Sequence, residues 1–401
     1  MIRMLRITGH AYWPRKSTHS LSALLISLSL LSTEVAAESG WDYGNRGLEW
    51  SDTETGSYLW LGLRAQLRYD SDENDFRLPD DFDDPEDSES GVNRSRYKIG
   101  ARLRSEATFY HEYDLTGSRL LDLRATWISN PGLNIRLGQW KSDYNRERID
   151  SSGKQQFIER SISTYWFTID RQWGAMASGR LWQGARADSS YWAGILAGNG
   201  RSTSDDGGRP MVMGRWQWNY TGNLLPFSQS ALKRYEEPHG SLAFGAVSND
   251  SAYTRFSSDG GGQLPGYEEG SNNQYRLYQA MQEWAWQRGG LSFQQELHFK
   301  SIEDRVNGAT RNMVGGYAQV GWFPSERWQF VPSGIEVALR GAYVDSDSRT
   351  DLKNDEYTVA VNWFINGHRN KLTFDASYLS TDDDDGHEDD TRFRLQWDVS
   401  I

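Results

Sequence analysis

The chain has 401 residues, of which 43 are basic and 55 are acidic, so its formal net charge is −12. This excess of negative charge argues against nucleic acid as a partner, because its phosphates would be repelled. The chain contains no cysteine, which excludes disulfide bonds and thiolate metal sites.

The first 37 residues have the pattern of a secretory signal peptide. Four basic residues precede an apolar run at 21–31, and small residues follow at 35–37. These are the three parts of such a leader. An uncleaved membrane anchor is the alternative, but it would need about 18 apolar residues. We expect residues 1–37 to be removed and residues 38–401 to form one domain outside the cytoplasm, with a net charge of −15 once the four basic residues and one acid are lost.

The aromatic content is high for a chain with a mean hydropathy of −0.73, since it includes 18 Trp and 20 Tyr. Aromatic girdles at two membrane interfaces would use these residues, and a polar lumen would lower the average hydropathy. No segment after the leader is long and apolar enough to form a membrane helix. A membrane location would therefore require a barrel.

Apolar and polar residues alternate along most of the remaining chain, as they do in two-faced strands. The alternation predicts about sixteen strands, at 58–69, 92–104, 106–116, 121–127, 133–138, 171–182, 189–198, 210–220, 240–249, 272–286, 291–300, 311–323, 335–343, 357–365, 372–378 and 391–401. The final strand alternates without error from Phe393 to Ile401, which fits the closing strand of an outer-membrane barrel. Taken alone, that strand would also suit a soluble sandwich. The whole pattern predicts an all-β, transmembrane antiparallel β-barrel.

Two segments, residues 70–90 and 380–390, are strongly acidic. Such charge cannot lie in hydrocarbon, so both should be solvent loops on the extracellular side, where long loops belong. Clustered carboxylates could bind Ca²⁺. However, the run from Asp382 to Gly386 lacks the later glutamate of an EF-hand loop. We therefore expect solvated loops with no specific metal site.

Five segments resemble the phosphate-selective porin O and P family: residues 94–100, 133–141, 156–161, 316–323 and 361–366. The second reads Leu-Asn-Ile-Arg-Leu-Gly-Gln-Trp-Lys, where family members typically have Leu-x-x-Gly-Gln-Phe-Lys-Glu-Pro. The segments occur in the family's order and cover most of the chain.

The chain also departs from the family pattern. Trp140 replaces the phenylalanine, and Ser142 and Asp143 replace the following Glu-Pro, which leaves the path of the next loop open. The terminal residue is Ile401, where outer-membrane barrels usually end in an aromatic residue.

The resemblance implies a sixteen-stranded, trimeric porin of the bacterial outer membrane, whose third extracellular loop folds into the lumen. Its function would be the passive diffusion of small hydrophilic solutes, in particular anions such as phosphate. On this chain the infolded constriction loop would be residues 141–170, with its basic residues at Lys141, Arg146, Arg148, Lys154 and Arg160.

A closed barrel places its last strand beside its first, so the inward faces of 391–401, 58–69 and 92–104 should be neighbours. With one residue of the strand at 133–138, they predict a basic, anion-binding wall of Arg64, Arg68, Arg94, Arg96, Lys98, Arg102, Arg136, Arg392 and Arg394. Facing it, we expect an acidic side with Glu283, Glu296, Glu336 and Asp375, which would create a transverse field. The alternative is a generic charged lining, in which arginines pair with neighbouring acids and the porin is general or weakly selective.

Two other classes of function remain as alternatives. A barrel enzyme would need a nucleophile or an Asp-His pair near the rim, and the histidines after the leader are His111, His239, His298, His368 and His387. His111 and His298 lie within predicted strands, and the other three have turn or loop neighbours, as solvated surface histidines do. An adhesin would use the acidic loops. We predict a channel rather than an enzyme, with no cofactor.

Overall fold

The computed structural model describes residues 39–71, 90–201, 209–346, 352–383 and 386–401. The expected signal peptide, most of the first acidic segment and the centre of the second lie outside these ranges. In the part of the chain that is described, no helix is long and apolar enough to cross a membrane.

Strands dominate the described residues. They are β1 (Ser39–Gly44), β2 (Gly47–Asp52), β3 (Ser57–Ser71), β4 (Ser90–Leu103), β5 (Ala107–Asp114), β6 (Arg119–Asn130), β7 (Leu133–Lys141), β8 (Arg171–Leu181), β9 (Ser189–Leu196), β10 (Met211–Trp218), β11 (His239–Ser251), β12 (Arg255–Ser257), β13 (Gly260–Gly262), β14 (Tyr275–Arg288), β15 (Leu291–Asp304), β16 (Ala309–Trp322), β17 (Ile335–Ser346), β18 (Lys353–Asn366), β19 (Asn370–Asp383) and β20 (Gly386–Ser400). The helices are short: α1 (Arg146–Ile149), α2 (Ile162–Phe167) and two single 3₁₀ turns, Ser152–Lys154 and Pro324–Glu326.

Sixteen of these strands, β3 to β11 and β14 to β20, form a closed antiparallel barrel within the described ranges. Each strand pairs with the next along the chain, and β20 closes the barrel against β3, with Leu395 opposite Tyr69 and Val399 opposite Ala65. The predicted fold is confirmed, since every predicted segment overlaps one barrel strand. Closure pairs the first described barrel strand with the last, as a strand-built wall in lipid requires.

The alternation along each strand separates the two faces of the barrel wall. In β20, Phe393 and Leu395 are exposed on the outside, whereas Arg394, Gln396 and Asp398 are buried in the interior. The same two rows continue around the barrel, as expected for a wall with lipid on one side and a polar lumen on the other.

An additional hairpin, β1 and β2, was not predicted from the sequence. It extends the sheet where β20 has ended, because β2 pairs with the first residues of β3, with Leu48 opposite Leu61. The end of the chain lies next to this junction, where the backbone N–H of Leu63 donates to the carbonyl of Ile401.

The connections differ in length at the two ends of the barrel. At one end lie the long connections 142–170 and 252–274, and this end is extracellular because outer-membrane barrels have longer extracellular loops. The periplasmic end has mostly tight turns. One periplasmic connection is an exception: residues 219–238, between β10 and β11, include the buried residue Leu225 and fold into the barrel.

Candidate functional site

The connection between β7 and β8, residues 142–170, lies inside the barrel and is the constriction loop. All of its residues are buried except Ile149, Ser151 and Lys154. The loop carries α1, a 3₁₀ turn and α2, and it reaches strands on opposite sides of the lumen. The predicted infolding of residues 141–170 is confirmed.

Wall carboxylates hold the constriction loop by its backbone. Glu296 accepts a 2.7 Å hydrogen bond from the N–H of Glu147, and Asp375 accepts one of 2.9 Å from the N–H of Ile158. Glu356 accepts a 2.9 Å bond from the first residue of α2. Hydrogen bonds to ionised acceptors are stronger than those between neutral groups, so these contacts fix the path of the loop.

Side chains add to this attachment. The guanidinium of Arg146 donates to Glu283 at 2.7 Å, and the amide of Gln156 donates to Glu336 at 2.8 Å. The predicted acidic residues therefore do line the interior, but they bind the constriction loop instead of facing an open lumen across from the basic wall.

Asp375 requires a further correction. It lies on β19 next to Arg394 on β20, and the two side chains form two 3.0 Å hydrogen bonds. Asp375 is thus part of the predicted basic wall and not of the opposite side.

Contacts within the constriction loop stiffen it. Arg148 donates two bonds, of 2.8 and 2.7 Å, to Asp170 at the far end of the loop. The carboxylate of Glu147 accepts bonds from Ser161 and Thr164. Burial raises the pKa of Glu147, and these hydrogen bonds oppose the increase.

Much of the predicted basic wall is paired with acids. Arg68 and Arg94 both contact Glu159 of the constriction loop, the latter at 2.8 Å, and Arg96 contacts Asp114 at 2.9 Å. Burial acts to raise the pKa of Glu159, but the charges of Arg94 and Arg68 outweigh it and hold that pKa well below its usual range. For these arginines, the alternative of a generic charged lining describes the geometry better than a ladder of unpaired cations.

The other predicted residues have different surroundings. Arg64 donates to the hydroxyls of Ser151 and Ser152 at 2.9 and 2.8 Å, and thereby contacts the constriction loop. Arg392 is buried in the interior, and Arg102 lies near the periplasmic end of β4. On the loop itself, Lys154 is exposed.

A polar cavity of about 300 Å³ separates the constriction loop from strands β4 to β8. Eight basic residues line it: Arg96, Lys98, Arg124, Arg136, Lys141, Arg148, Arg160 and Arg171. Its acidic residues are Glu112, Asp122 and Asp143, and its other lining residues are Tyr110, Ile149, Ser151, Ser152, Phe227 and Ser258.

The sequence identified most of these cations but not all of them. Six were predicted, whereas Arg124 and Arg171 were missed as site residues. Arg124 occupies an inward position of β6, so alternation alone could have placed it in the lumen. Arg171 is the first residue of β8, where a weak strand pattern begins. The remaining predicted residues lie outside the cavity lining: Arg64, Arg68, Arg94, Arg102, Arg146, Lys154, Arg392 and Arg394.

Three of the cavity's cations have no carboxylate among the described residues within salt-bridge distance. Lys141 donates to the carbonyl of Asp150 at 2.8 Å, and Arg160 donates to the carbonyls of Glu147 and Asp150. Arg124 lies over the ring of Tyr110 at 4.8 Å. Neutral acceptors orient these groups without cancelling their charge.

Two further segments reach the cavity from the two ends of the barrel. Ser258, from the extracellular connection 252–274, accepts a 2.6 Å bond from Arg148 and a 3.4 Å bond from Arg171. Phe227 comes from the periplasmic connection 219–238. Over the described ranges, no group of three or more His, Asp or Glu side chains is arranged to hold a metal ion.

Solved structures of outer-membrane channels share this fold. The channel DcaP of Acinetobacter baumannii is 13% identical, with a TM-score of 0.55 over 88% of this chain and 99% of that one. An anion-selective porin from Comamonas acidovorans is 12% identical, with a TM-score of 0.53 over 86% and 100%. OmpT of Vibrio cholerae is 7% identical, with a TM-score of 0.55 over 86% and 98%. Identities this low establish the fold alone.

A search of the curated proteins found no match by sequence. The family model of the phosphate-selective porins O and P matches residues 63–398, which covers most of the chain. This match confirms the resemblance drawn from the five sequence segments. Family and fold together point to a channel rather than to an enzyme. The chain belongs to the phosphate-selective porin O and P family and is a porin of the bacterial outer membrane.

Proposed function

We propose that the protein is a passive, anion-preferring channel for small hydrophilic solutes, and that the cavity beside the constriction loop selects for anions. One observation carries this proposal: eight basic and three acidic side chains line a cavity of about 300 Å³. An anion that enters the cavity exchanges part of its hydration shell for N–H donors, which favours it over a cation.

The placement of charge explains how an acidic protein can prefer anions. Wall acids such as Glu283, Glu296 and Glu336 are occupied by the constriction loop, so they do not oppose the cavity's cations directly. Exposed charges act weakly beyond a Debye length of about 8 Å at physiological salt. The charge lining the cavity, and not the net charge of the chain, is therefore expected to set the preference.

The comparisons support the choice of anion without identifying it. The family is described as phosphate-selective, and the Comamonas acidovorans porin of similar fold is described as anion-selective. Phosphate and chloride are accordingly the first anions to measure. A general or weakly selective porin is the second candidate, favoured by the ion pairs of Arg68, Arg94 and Arg96.

The test is the reversal potential of the purified, full mature protein in a planar lipid bilayer with a KCl gradient. An anion-preferring potential supports the proposal, and a zero or cation-preferring potential contradicts it. The comparison of single-channel currents in chloride and phosphate then reports whether phosphate permeates or blocks.

The proposal also includes cleavage of the signal peptide, assembly into a homotrimer and the absence of catalysis. We expect removal of residues 1–37, which intact-mass measurement of the purified protein would reveal. We also expect a homotrimer, which native mass spectrometry in detergent would detect. Among the candidate histidines of an enzyme, His239 stacks on Tyr235 at 3.7 Å, and His387 forms an exposed pair with Asp382 at 2.7 Å. Esterase or protease activity that is lost on replacement of His239 or His387 would contradict the expected absence of catalysis.

A further inference from the structure

The cation-lined cavity also contains apolar surface. Phe227 and Ile149 both line it, and both are only half-buried. Neither side chain can donate a hydrogen bond to an oxyanion. A site built for a small tetrahedral oxyanion would be expected to present donors on every side, so these two residues require another explanation.

The Phe227 ring is held in place by its surroundings. The guanidinium groups of Arg146 and Arg215 lie 4.9 and 5.1 Å from the ring centre. Arg146 also donates a 2.8 Å hydrogen bond to the carbonyl of Pro226, the preceding residue. Further along the same segment, Gln229 accepts a 2.8 Å bond from the backbone of Gln156. The ring is therefore a fixed wall of the cavity.

Arg124 is a charged group of the same cavity that is also held in place. Its guanidinium lies 4.8 Å from the ring centre of Tyr110, whose hydroxyl donates to Glu112 at 2.8 Å. Tyr110 is thus fixed at its hydroxyl and supports Arg124 with its ring. A planar guanidinium held in this way can bind a carboxylate through two parallel hydrogen bonds.

The size of the cavity agrees with a solute larger than phosphate. A cavity of about 300 Å³ lies at the lower end of the range for ligand pockets. A phosphate ion would leave much of this volume to solvent, whereas a carboxylate joined to a ring would occupy a larger share of it.

We propose that the cavity is a binding site for planar organic anions, in which Arg124 receives the carboxylate and Phe227 and Ile149 cover the apolar group. This inference rests on the proposed anion preference and adds the class of solute. Contact between an aromatic solute and the ring of Phe227 would favour it over an anion with the same charged group and no ring.

The experiment measures block of the KCl current through the full mature protein by added benzoate, acetate or phosphate at neutral pH. We expect benzoate to half-block the current at a concentration about fivefold lower than acetate or phosphate, the factor typical of one good aromatic contact. Phe227→Ala should raise the half-blocking concentration of benzoate to that of acetate. The milder Phe227→Leu should give a benzoate concentration between those of the unmodified protein and Phe227→Ala. Phe244→Ala, on the lipid-facing side of β11, is the control and should match the unmodified protein.

Block by phosphate or acetate as strong as that by benzoate would overturn the inference, as would an unchanged benzoate value in both Phe227 variants. The KCl reversal potential separates this failure from that of the proposed function. An anion-preferring potential without preferential benzoate block removes only the inference, whereas a cation-preferring potential removes the anion channel itself.

Discussion

The backbone N–H of Glu147 donates a 2.7 Å hydrogen bond to the carboxylate of Glu296, 149 residues further along the chain. This contact joins the constriction loop to strand β15. It shows why the far wall of the lumen is acidic: the loop presents N–H groups that lack a partner in a helix or strand, and buried N–H groups need acceptors. The acids of the wall meet that need. The cavity lies on another side of the loop, where the loop faces strands β4 to β8.

Replacement of Glu296 by alanine should loosen the constriction loop. The change leaves the N–H of Glu147 and the side-chain amide of Asn145 without their acceptor, at a cost of about 1–3 kcal/mol for each buried group. We expect a lower midpoint of thermal unfolding and a larger, noisier single-channel conductance. Glu296→Gln retains one carbonyl oxygen and should lie closer to the unmodified protein.

Glu303→Ala on the same strand is the control for this effect. Its side chain is 44% exposed and contacts Arg276 at 3.6 Å, so its loss should change neither the unfolding midpoint nor the conductance. Equal behaviour of the Glu296→Ala and Glu303→Ala proteins would show that Glu296 does not hold the loop.

Combined Lys141→Gln and Arg160→Gln substitutions should reduce the anion preference most directly. Both side chains line the cavity, and within the described structure both donate only to carbonyl oxygens. Glutamine keeps a donor and removes the charge. We expect the ratio of chloride to potassium permeability to fall about twofold or more, as judged from the KCl reversal potential. Lys154→Gln, at an exposed position outside the cavity lining, should leave it unchanged.

Arg94→Ala combined with Arg96→Ala tests the basic wall as the sequence predicts it. The double variant should prefer anions less than the unmodified protein does. The two arginines should not contribute equally to the anion preference, because Arg96 lines the cavity whereas Arg94 contacts Glu159 outside it. Arg96→Ala alone should therefore shift the reversal potential more than Arg94→Ala alone. The opposite order would place the selective site along the wall and not in the cavity.

The strands could be predicted from sequence because lipid outside and polar groups inside impose the same period of two on every strand. The hairpin of β1 and β2 escaped this reasoning, since six residues in each strand give too little alternation. The infolding of residues 219–238 also escaped it, because periplasmic connections are usually short turns.

The partners of the basic residues could not be predicted in the same way. Arg94 and Glu159 are separated by 65 residues, and Arg146 and Glu283 by 137. Alternation shows which residues face the lumen, but it contains no information about which charge of the loop meets which charge of the wall. For this reason the sequence indicated which basic residues face the interior, but not that Glu159 pairs with Arg94 or Glu283 with Arg146.

Gly321 offers a direct test of how closely the constriction loop packs on the wall. A Cβ atom at this position on β16 would clash with the amide nitrogen of Gln156 and lie 2.7 Å from the carboxylate of Glu336. That amide donates to both Ser292 and Glu336, so Gly321→Ala should break two buried hydrogen bonds and push the loop inward. Overpacking of this kind typically costs about 1–3 kcal/mol. We expect a lower unfolding midpoint and an altered single-channel conductance. Gly341→Ala is the matched control, because among the described residues its added Cβ would meet only the ring of Tyr357, at 3.8 Å, which is an ordinary contact. If both alanine variants conduct and unfold alike, the loop does not rest on β16 as the structure indicates.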